Sequence, residues 1–371
     1  ISTINGAKKL IKNGTIIESD QPEAYLYMGQ CYALKALANY YLVNLYGLPY
    51  SDENKSTPGI ILLDTVPSTP LKTIARSTVE ATYTQILNDI SSAEEAFNNA
   101  GSDETENLTA EYMGPMGLNA LKARVYMSMG NYSKAKEAAE TAIALKNTGA
   151  ADSTDYNPSN SDYISMWSKT DVSAEDLFTI KKSTDDNLSS NSLNTAYGSY
   201  YCTLQNTAYN KINTTDIRYK LLEAGESGGI TTAKYDGTSI SRATSNIPVF
   251  RKSEMALIIA ECDVRLGNIS EANDYLLYTA KRDSALTSSD KLPTPSSELL
   301  QFISDERIRE FIGEGHRFYD ARRMGDLVSG DQFSNLDIKN FLFPIPAAEI
   351  NSGAGCKQNE NWSDYLTSST E

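Results

Sequence analysis

The sequence predicts a mainly α-helical protein in which helical hairpins form the scaffold and short strands are few. Apolar residues recur at three- and four-residue intervals over several long stretches, which is the spacing of helices with one buried face. Two of these stretches share a helix, Gly-Asn turn, helix pattern. The stretch 149–247 between them lacks this periodicity and is rich in Asn, Ser, Thr, Gly and Tyr, which predicts a loop-rich excursion.

Composition argues against several classes of function. The chain of 371 residues carries a net charge of −15, so a nucleic-acid binder is not expected, because phosphates would be repelled. Hydrophobic residues make up 40%, which is ordinary for a folded chain. A run of about eighteen apolar residues is missing, so no membrane-spanning helix is predicted. The chain opens on ISTINGAKKL without an initiator Met, and we expect an N-terminal portion to have been removed.

Signatures of metal, cofactor or nucleophile chemistry are missing from the sequence. The cysteines Cys31, Cys202, Cys262 and Cys356 lie far apart and show no metal-ligand spacing. Cys31 and Cys262 fall in apolar helical stretches, where we expect them to be structural. The motifs GxGxxG, P-loop, HExxH and GxSxG do not occur. We therefore predict no metal, no cofactor and no catalytic residue.

Two long helices are predicted near the N-terminus. Residues 21–47 form the first, with Pro22 in its first turn and Gly47 as its terminator, and apolar side chains around most of its surface predict burial. A loop punctuated by prolines follows, and residues 76–99 form the second helix. The inner face of this second helix is marked by Val79, Tyr83, Ile86, Leu87 and Ile90.

Two later stretches resemble each other at matched positions. They are LKARVYMSMGNYSKAKEAA (121–139) and IIAECDVRLGNISEANDYL (258–276). In each, a Gly-Asn pair separates two helical halves, and a small Ala in the second half permits close packing. This pattern is typical of a tetratricopeptide-like helical hairpin, which needs neighbours to bury its apolar face.

These patterns predict one domain over residues 1–371. Its tetratricopeptide-like scaffold comprises 21–148 and 248–340. The excursion 149–247 is the predicted ligand-binding region, because loops held on a rigid scaffold usually carry binding residues. Residues 341–371 are predicted to form a C-terminal loop segment.

The stretch ISDERIREFIGEGHRFYDARRMGDL (303–327) holds the only histidine, His316, among acids and arginines. Ser304 is a predicted helix N-cap, and Asp305 and Glu306 suit a first helical turn. Charges of opposite sign follow at three- and four-residue steps, so they can pair along a helix or clamp an adjacent segment. The predicted structural charge network is Glu306, Arg307, Glu310, Glu314, Arg317, Asp320 and Arg323.

This charged stretch has two interpretations, an acid–base site and a buried brace. An acid–base site needs a pocket and a group with a perturbed pKa, and the sequence indicates neither. A brace explains the mixed signs, the arginine excess and the flanking Gly313 and Gly315, which permit close approach of the backbone. We therefore interpret the stretch, His316 included, as structural. A glycosidase pair of carboxylates stays open, because 48 acidic residues cannot be sorted by counting.

The stretch 303–327 resembles the ER-x-x-E…EG-x-R-x-x-D-x-x-R motif of the SusD/RagB family. Further segments resemble segments of that family in the same order, and the resemblance extends from about residue 21 to residue 362. These segments are ALKALANYYLVNLYGLPYS (33–51), TTDIRYKLL (214–222), IPVFRKSEMALIIAE (247–261) and FPIPAAEINSGAGCKQNENW (343–362).

The resemblance implies a SusD-like fold and a non-catalytic glycan-binding subunit on the outer membrane of Bacteroidetes. Family members act as a lid on a SusC-like TonB-dependent transporter and are tethered by a lipidated cysteine. Because Cys31 lies within a predicted helix, we expect the lipid-bearing cysteine to lie outside this sequence. Neither enzymatic activity nor a cofactor is expected. The alternatives are a peptide-binding importer subunit of RagB type, a tetratricopeptide-type adaptor for a protein partner, and a glycoside hydrolase.

Candidate ligand-binding residues follow from chemistry and place, because the shared motifs belong to the scaffold. Aromatic faces stack on sugar rings and amides bind hydroxyl groups. The first set lies in the excursion and comprises Tyr197, Tyr200, Tyr201, Tyr209 and Asn206. The second set follows the first long helix and comprises Tyr50, Asp52 and Asn54. Plain packing stays an open alternative for the tyrosines. Trp167 is expected in the core, and DLFTIKK (176–182) is strand-like.

Overall fold

The computed structural model describes residues 1–66, 74–106, 108–148, 160–200, 202–225, 228–238, 240–330, 333–351 and 355–362. The chain divides into two compact units. We call Ile1–Asn107 with Ile338–Glu371 the terminal unit, and Leu108–Asp337 the central unit. The prediction of one domain over residues 1–371 stays a prediction.

In this part of the chain the helices are α1 (Ser2–Lys12), α2 (Gln21–Tyr46), α3 (Val79–Ala100), α4 (Ser102–Thr105), α5 (Pro115–Ser128), α6 (Tyr132–Thr148), α7 (Asn160–Ser165), α8 (Leu193–Gly198), α9 (Asn206–Tyr209), α10 (Lys252–Leu266), α11 (Ile269–Ala280), α12 (Ser296–Glu310), α13 (Arg317–Met324) and α14 (Ala347–Asn351). The strands are β1 (Asp176–Ile180), β2 (Leu222–Ala224), β3 (Ile230–Thr232), β4 (Ile247–Arg251), β5 (Leu327–Gly330) and β6 (Phe333–Asp337). The predicted mainly α-helical class, with few short strands, is confirmed.

Helices α2 and α3 form the core of the terminal unit, and both predicted long helices are confirmed. The first turn of α3 is capped by Thr78, whose side-chain oxygen accepts from the Ala81 amide at 3.1 Å. Gly29 on α2 lies against Phe97 on α3, where an added Cβ would come within 2.6 Å of the ring. A glycine is therefore required for α2 and α3 to approach this closely.

Polar side chains join the C-terminal loop segment to the rest of the terminal unit. Arg76 donates to the carbonyl oxygen of Tyr46 at 2.8 Å and to Oδ1 of Asn359 at 2.7 Å. Gln358 accepts from the Ile345 amide at 2.8 Å and donates to the Ile345 carbonyl at 3.0 Å. These contacts hold the end of α2 and two parts of the C-terminal segment in one arrangement.

The central unit is built on two helical hairpins, α5–α6 and α10–α11, and α6 packs directly on α10. Gly130 and Gly267 occupy the two turns with φ of 71° and 90°, a conformation that glycine adopts without strain. Every residue of α10 from Lys252 to Val264 is buried. The predicted tetratricopeptide-like packing is thus present between hairpins that are far apart in sequence.

The excursion attaches to the scaffold through strand pairing. Strand β1 pairs antiparallel with β4, and β4 leads directly into α10. The predicted strand in 176–182 is confirmed. Trp167 is buried in a cluster with Tyr163 and Leu221, so its predicted place in the core is also confirmed.

The stretch 303–327 forms the end of α12, a turn and α13 rather than one continuous helix. Helix α12 starts at Ser296, well before Ser304, so the predicted N-cap role of Ser304 is wrong. Ser304 is buried within α12, and its hydroxyl donates to Asp326. The chain leaves the helix after Glu310 and turns through two glycines, 313 and 315, with φ of 78° and 81° before α13 begins. The positive φ values allow the chain to turn here, and at Gly313 an added Cβ would lie 2.9 Å from Thr232, so the predicted close approach is present there.

The length and apolar character of the helices bear on membrane insertion. Across the residues that the structure describes, none of them has both the length and the apolar character needed to cross a bilayer.

Candidate functional site

A buried cluster of charges lies at the centre of the central unit, and we call it the charge core. It comprises Glu175, Asp216, Arg218, Lys234, Arg251, Arg282, Glu306, Glu310 and Glu314, which are linked by ion pairs. Several segments that are distant in sequence supply these side chains, including the end of β4, the turn after α11, and α12 with the turn that follows it. The charge core therefore joins the excursion to the part of the scaffold that runs from β4 to the turn after α12.

Glu310 lies at the centre of the charge core and is fully buried. Its carboxylate oxygens lie 2.9 Å from Arg251 Nη1, 2.9 Å from Arg282 Nε and 3.1 Å from Arg218 Nη1. Burial by itself would raise the pKa of Glu310, but the guanidinium groups of Arg282, Arg251 and Arg218 hold that pKa well below its usual range. Glu310 is therefore a permanent anion that neutralises its arginine neighbours.

Arg218 extends the charge core to a second pair of carboxylates. Its Nη2 lies 2.7 Å from Asp216 Oδ2, and its Nη1 lies 2.8 Å from Glu306 Oε1. Glu306 also accepts from Arg309 Nε at 2.8 Å. Such multiply bonded guanidinium–carboxylate contacts fix the geometry of both partners.

A second network runs beside the charge core along α12, α13 and α10. Arg307 Nε donates to Asp320 Oδ2 at 2.8 Å, and Arg323 Nη2 donates to Asp320 Oδ1 at 3.2 Å. Arg323 also pairs with Glu261 through both oxygens, with Nη2 at 2.8 Å from Oε2. Arg317 pairs with Asp326 at 2.8 Å near the surface. Every member of the predicted charge network thus takes part in an ion pair.

His316 has the geometry of a structural residue. Its ring stacks on Phe311 with 4.3 Å between centroids, and its Nδ1 lies 3.9 Å from Glu254. Glu254 is itself held by Arg124 at 2.8 Å and 2.6 Å. Burial lowers the pKa of His316 well below its usual range, so the ring is neutral near pH 7. The contacts of this half-buried ring are therefore with scaffold residues.

Tyr197 connects the charge core to the predicted ligand-binding loop. Lys234 donates to the carbonyl of Glu310 at 2.7 Å and to Glu314 Oε1 at 2.6 Å, which fixes the turn after α12. The Tyr197 hydroxyl donates to the carbonyl of Gly313 in this turn at 3.1 Å. The Tyr197 ring stacks on Tyr235 at 6.1 Å with an interplanar angle of 9°. Tyr197 therefore anchors the loop and has little surface left for a ligand.

The other predicted residues of the excursion differ in exposure. Tyr200 is 60% exposed, Asn206 is exposed and Tyr209 is half-buried. Helix α9, which carries Asn206 and Tyr209, is tied to β5 by a hydrogen bond from Thr207 Oγ1 to the Ser329 carbonyl at 2.8 Å. Tyr201 lies outside the described residues.

The second predicted set, Tyr50, Asp52 and Asn54, lies in the terminal unit, where these residues contact their own loop and its neighbours. Tyr50 packs edge-on against Tyr83 at 4.9 Å between centroids, and the Lys55 ammonium lies 5.5 Å from the Tyr50 ring centre. Asp52 pairs with Lys55 at 2.7 Å. Asn54 donates its side-chain amide to the Pro49 carbonyl at 3.0 Å. This set lies in a different unit from Tyr197 and Tyr200, and these internal contacts leave few groups for a ligand.

A shallow depression beside α8 is a feature that the sequence did not predict. It is lined by Lys182, Leu188, Ser192, Leu193, Asn194, Ser245 and Ile247. Its two sides come together because β1 and β4 pair, which no local pattern reveals. Within the described ranges, no group of three or more histidine, cysteine or acidic side chains is placed to hold a metal ion.

Comparison with known families gives two matches. A sequence profile of the SusD family matches residues 88–362. A profile described as starch-binding associating with outer membrane matches residues 11–127. No curated protein sequence matches this chain significantly.

Solved structures of similar fold come from Bacteroides. A SusD superfamily protein from Bacteroides thetaiotaomicron is 25% identical, with a TM-score of 0.80 over 96% of this chain and 82% of that chain. A Bacteroides vulgatus protein named for sugar binding is 26% identical, with a TM-score of 0.80 over 97% of this chain and 83% of that chain. A SusD superfamily protein from Bacteroides vulgatus, 24% identical, has the same fold, with a TM-score of 0.76 over 95% of this chain and 81% of that chain.

Proposed function

We infer that this protein, which belongs to the SusD family, is a non-catalytic cell-surface subunit of a nutrient importer. In this proposal it captures an oligosaccharide or polysaccharide and passes it to a SusC-like TonB-dependent transporter. The resemblance of the sequence motifs to the SusD/RagB family is the basis for the transporter and for a lipid tether. The profile described as starch-binding associating with outer membrane and the relative named for sugar binding support a glycan ligand at that membrane.

The observation that carries the proposal is a loop with a fixed base and an exposed aromatic tip. Tyr197 fastens the base to the turn after α12 through the Gly313 carbonyl and to Tyr235 by stacking. Tyr200, three residues later, leaves 60% of its side chain exposed. Rigid presentation of an aromatic face lowers the entropy that is lost on binding a sugar ring. Asn206 adds an exposed amide that can bind hydroxyl groups.

The charge core does not favour the hydrolase alternative. A glycosidase needs two carboxylates that flank a sugar and exchange protons with it. Glu306 and Glu310 are fully buried, and Arg218 binds both. Burial would raise the pKa of each carboxyl, but the neighbouring guanidinium groups hold both values below the usual range, so neither group is suited to donate a proton near pH 7.

Affinity electrophoresis with neutral and acidic polysaccharides tests this proposal. Wild type is compared with a Tyr200→Ala/Asn206→Ala variant, which leaves the Tyr197 anchor intact. The matched control is Tyr219→Ala, because Tyr219 is also exposed in the central unit, at 47%. We expect retardation of wild type and of the control, and a loss of at least tenfold in affinity for the double variant.

Each other result has a defined meaning. Equal retardation of wild type and the double variant would remove the excursion as the site and direct attention to Tyr50 and its loop. A release of reducing ends during incubation would contradict a non-catalytic function. Absence of retardation by every glycan, with binding of a peptide mixture instead, would favour the RagB-type alternative.

A further inference from the structure

The depression beside α8 is lined by a lysine that has no ion-pair partner among the described residues. Lys182 lines it and makes no ion pair with the part of the chain that the structure describes. Its neighbour Lys181, by contrast, pairs with Glu111 at 2.9 Å. Lys181 is exposed whereas Lys182 is half-buried, so the two lysines have different surroundings. In a protein of net charge −15, a half-buried cation without a carboxylate partner needs a reason.

Two polar side chains that line the depression with Lys182 keep a donor that has no acceptor among the described residues. Ser192 donates to Oδ1 of Asn194, which leaves the NH₂ group of Asn194 for another partner. The oxygen of buried Ser245 accepts from the Gly237 amide at 3.0 Å, so its hydroxyl hydrogen remains to donate. No carboxylate of the described residues lines the depression.

This donor set selects for charge. A neutral sugar can accept from these donors through its hydroxyl groups, but it has no negative charge to pair with the Lys182 ammonium. An anionic group only accepts, and its hydrogen bonds to an ammonium and to neutral donors are the stronger charge-assisted kind. Leu188, Leu193 and Ile247 make the rest of the lining apolar, and the space is small, so it suits a single substituent group rather than a whole sugar ring.

Resting on the proposed glycan-binding function, we propose that this depression is a subsite for an acidic substituent of the glycan, a carboxylate or a sulfate ester. Lys182 forms the ion pair, and Asn194 and Ser245 donate hydrogen bonds to the same group. Asn194 precedes Tyr197 by one turn of α8, so the subsite is part of the same anchored segment as the exposed Tyr200. The ligand class is then an acidic glycan, although the net charge of the whole protein is negative.

The test compares matched ligands and matched variants. The ligands are oligogalacturonate with its carboxyl-reduced form, and dextran sulfate with dextran. The variants are Lys182→Gln and the control Lys181→Gln, which removes the same charge from the neighbouring position. We expect wild type and the control to prefer an acidic ligand of one pair, and Lys182→Gln to bind that ligand about tenfold more weakly. The pair that shows the effect distinguishes the carboxylate from the sulfate ester.

The outcomes separate the subsite from the proposed function. Equal binding of acidic and neutral forms by wild type, or equal losses in both lysine variants, would overturn the subsite and leave glycan binding intact. If no polysaccharide binds, the proposed function fails. The subsite is then tested alone by titration with D-glucuronate and with glucose 6-sulfate, with D-glucose as the neutral control for each. A shift of the Asn194 side-chain amide NMR signal with either acidic sugar, absent with glucose and in Lys182→Gln, supports it, and no such shift overturns it.

Discussion

The charge core and the loop that carries Tyr197 and Tyr200 are held in different ways within the central unit. In the charge core, Glu310 is fully buried and has contacts with three arginines, so its position is determined several times over. In the loop, Tyr197 is fixed by one hydrogen bond and one stacked ring, and Tyr200 is 60% exposed. The comparison teaches that the motif residues in 303–327 specify the scaffold. The chemistry available to a ligand lies in residues that no motif marks.

Replacing Glu310 by Gln should have the largest effect on stability. The substitution leaves the buried charges of Arg218, Arg251 and Arg282 without their shared anion. We expect the free energy of unfolding of the central unit to fall by about 3–5 kcal/mol, the usual cost of breaking a buried ion pair. Glu298→Gln on the exposed face at the start of α12 serves as control and should change stability by less than about 0.5 kcal/mol.

Urea unfolding followed by the fluorescence of Trp167 measures this loss. Trp167 packs in the central unit with the Lys234 ammonium 4.7 Å from its ring, whereas Trp362 belongs to the terminal unit. A Trp362→Phe background therefore isolates the signal of the central unit. A fall of less than about 1 kcal/mol for Glu310→Gln would show that the charge core is not the stabilising feature that the geometry indicates.

The sequence predicted the elements that depend on residues close together in the chain. The long helices, the Gly-Asn turns and the mixed charges of 303–327 all rest on spacing within one stretch. The partners of those charges could not be paired in this way, because Arg218 lies 88 residues from Glu306 and Arg251 lies 59 residues from Glu310. Sequence resemblance to the family identifies the segments 214–222 and 247–261, but only the fold brings Arg218 and Arg251 close to Glu306 and Glu310.

Two errors of detail have the same physical origin. Ser304 followed by acidic residues matches a helix start, yet α12 begins earlier because its apolar positions, such as Leu299 and Ile303, are buried in the scaffold core. The charges around Gly313 and Gly315 fit a helical spacing, whereas contacts with Lys234 and Tyr197 hold the chain in a turn there. In both cases tertiary contacts overrode a local preference.

Asp176→Asn should have a smaller effect that depends on pH. Asp176 contrasts with Glu310, because only one of its oxygens has a hydrogen-bond partner, the Ser173 amide at 2.7 Å. Burial raises the pKa of Asp176 to about 6. The unfolded value is about 3.9, so the fold favours the protonated form. Its contribution to stability is therefore complete below about pH 4 and is lost as the pH rises through 6.

Asparagine does not titrate, so the variant lacks this loss. We expect the unfolding free energy of Asp176→Asn minus that of wild type to increase by about 1 kcal/mol from pH 5 to pH 7. The measurement is urea unfolding at intervals between these values, with the exposed Asp171→Asn as control. A difference that stays constant or decreases over this range would mean that the Asp176 carboxyl titrates in the folded protein near its ordinary value.

The smallest expected effect on stability concerns the Tyr197 contact that links the loop to the charge core. Two tyrosine-to-phenylalanine variants isolate this contact. Tyr197→Phe keeps the stacked ring but removes the hydroxyl that donates to the Gly313 carbonyl. We expect a loss of about 1 kcal/mol in unfolding free energy, which is typical of one hydrogen bond. Tyr200→Phe removes a hydroxyl from an exposed ring and should change stability by less than about 0.5 kcal/mol. Equal effects of the two variants on unfolding would mean that Tyr197 does not fasten the loop to the charge core. The fixed base on which the proposed binding surface depends would then have to lie elsewhere in the excursion.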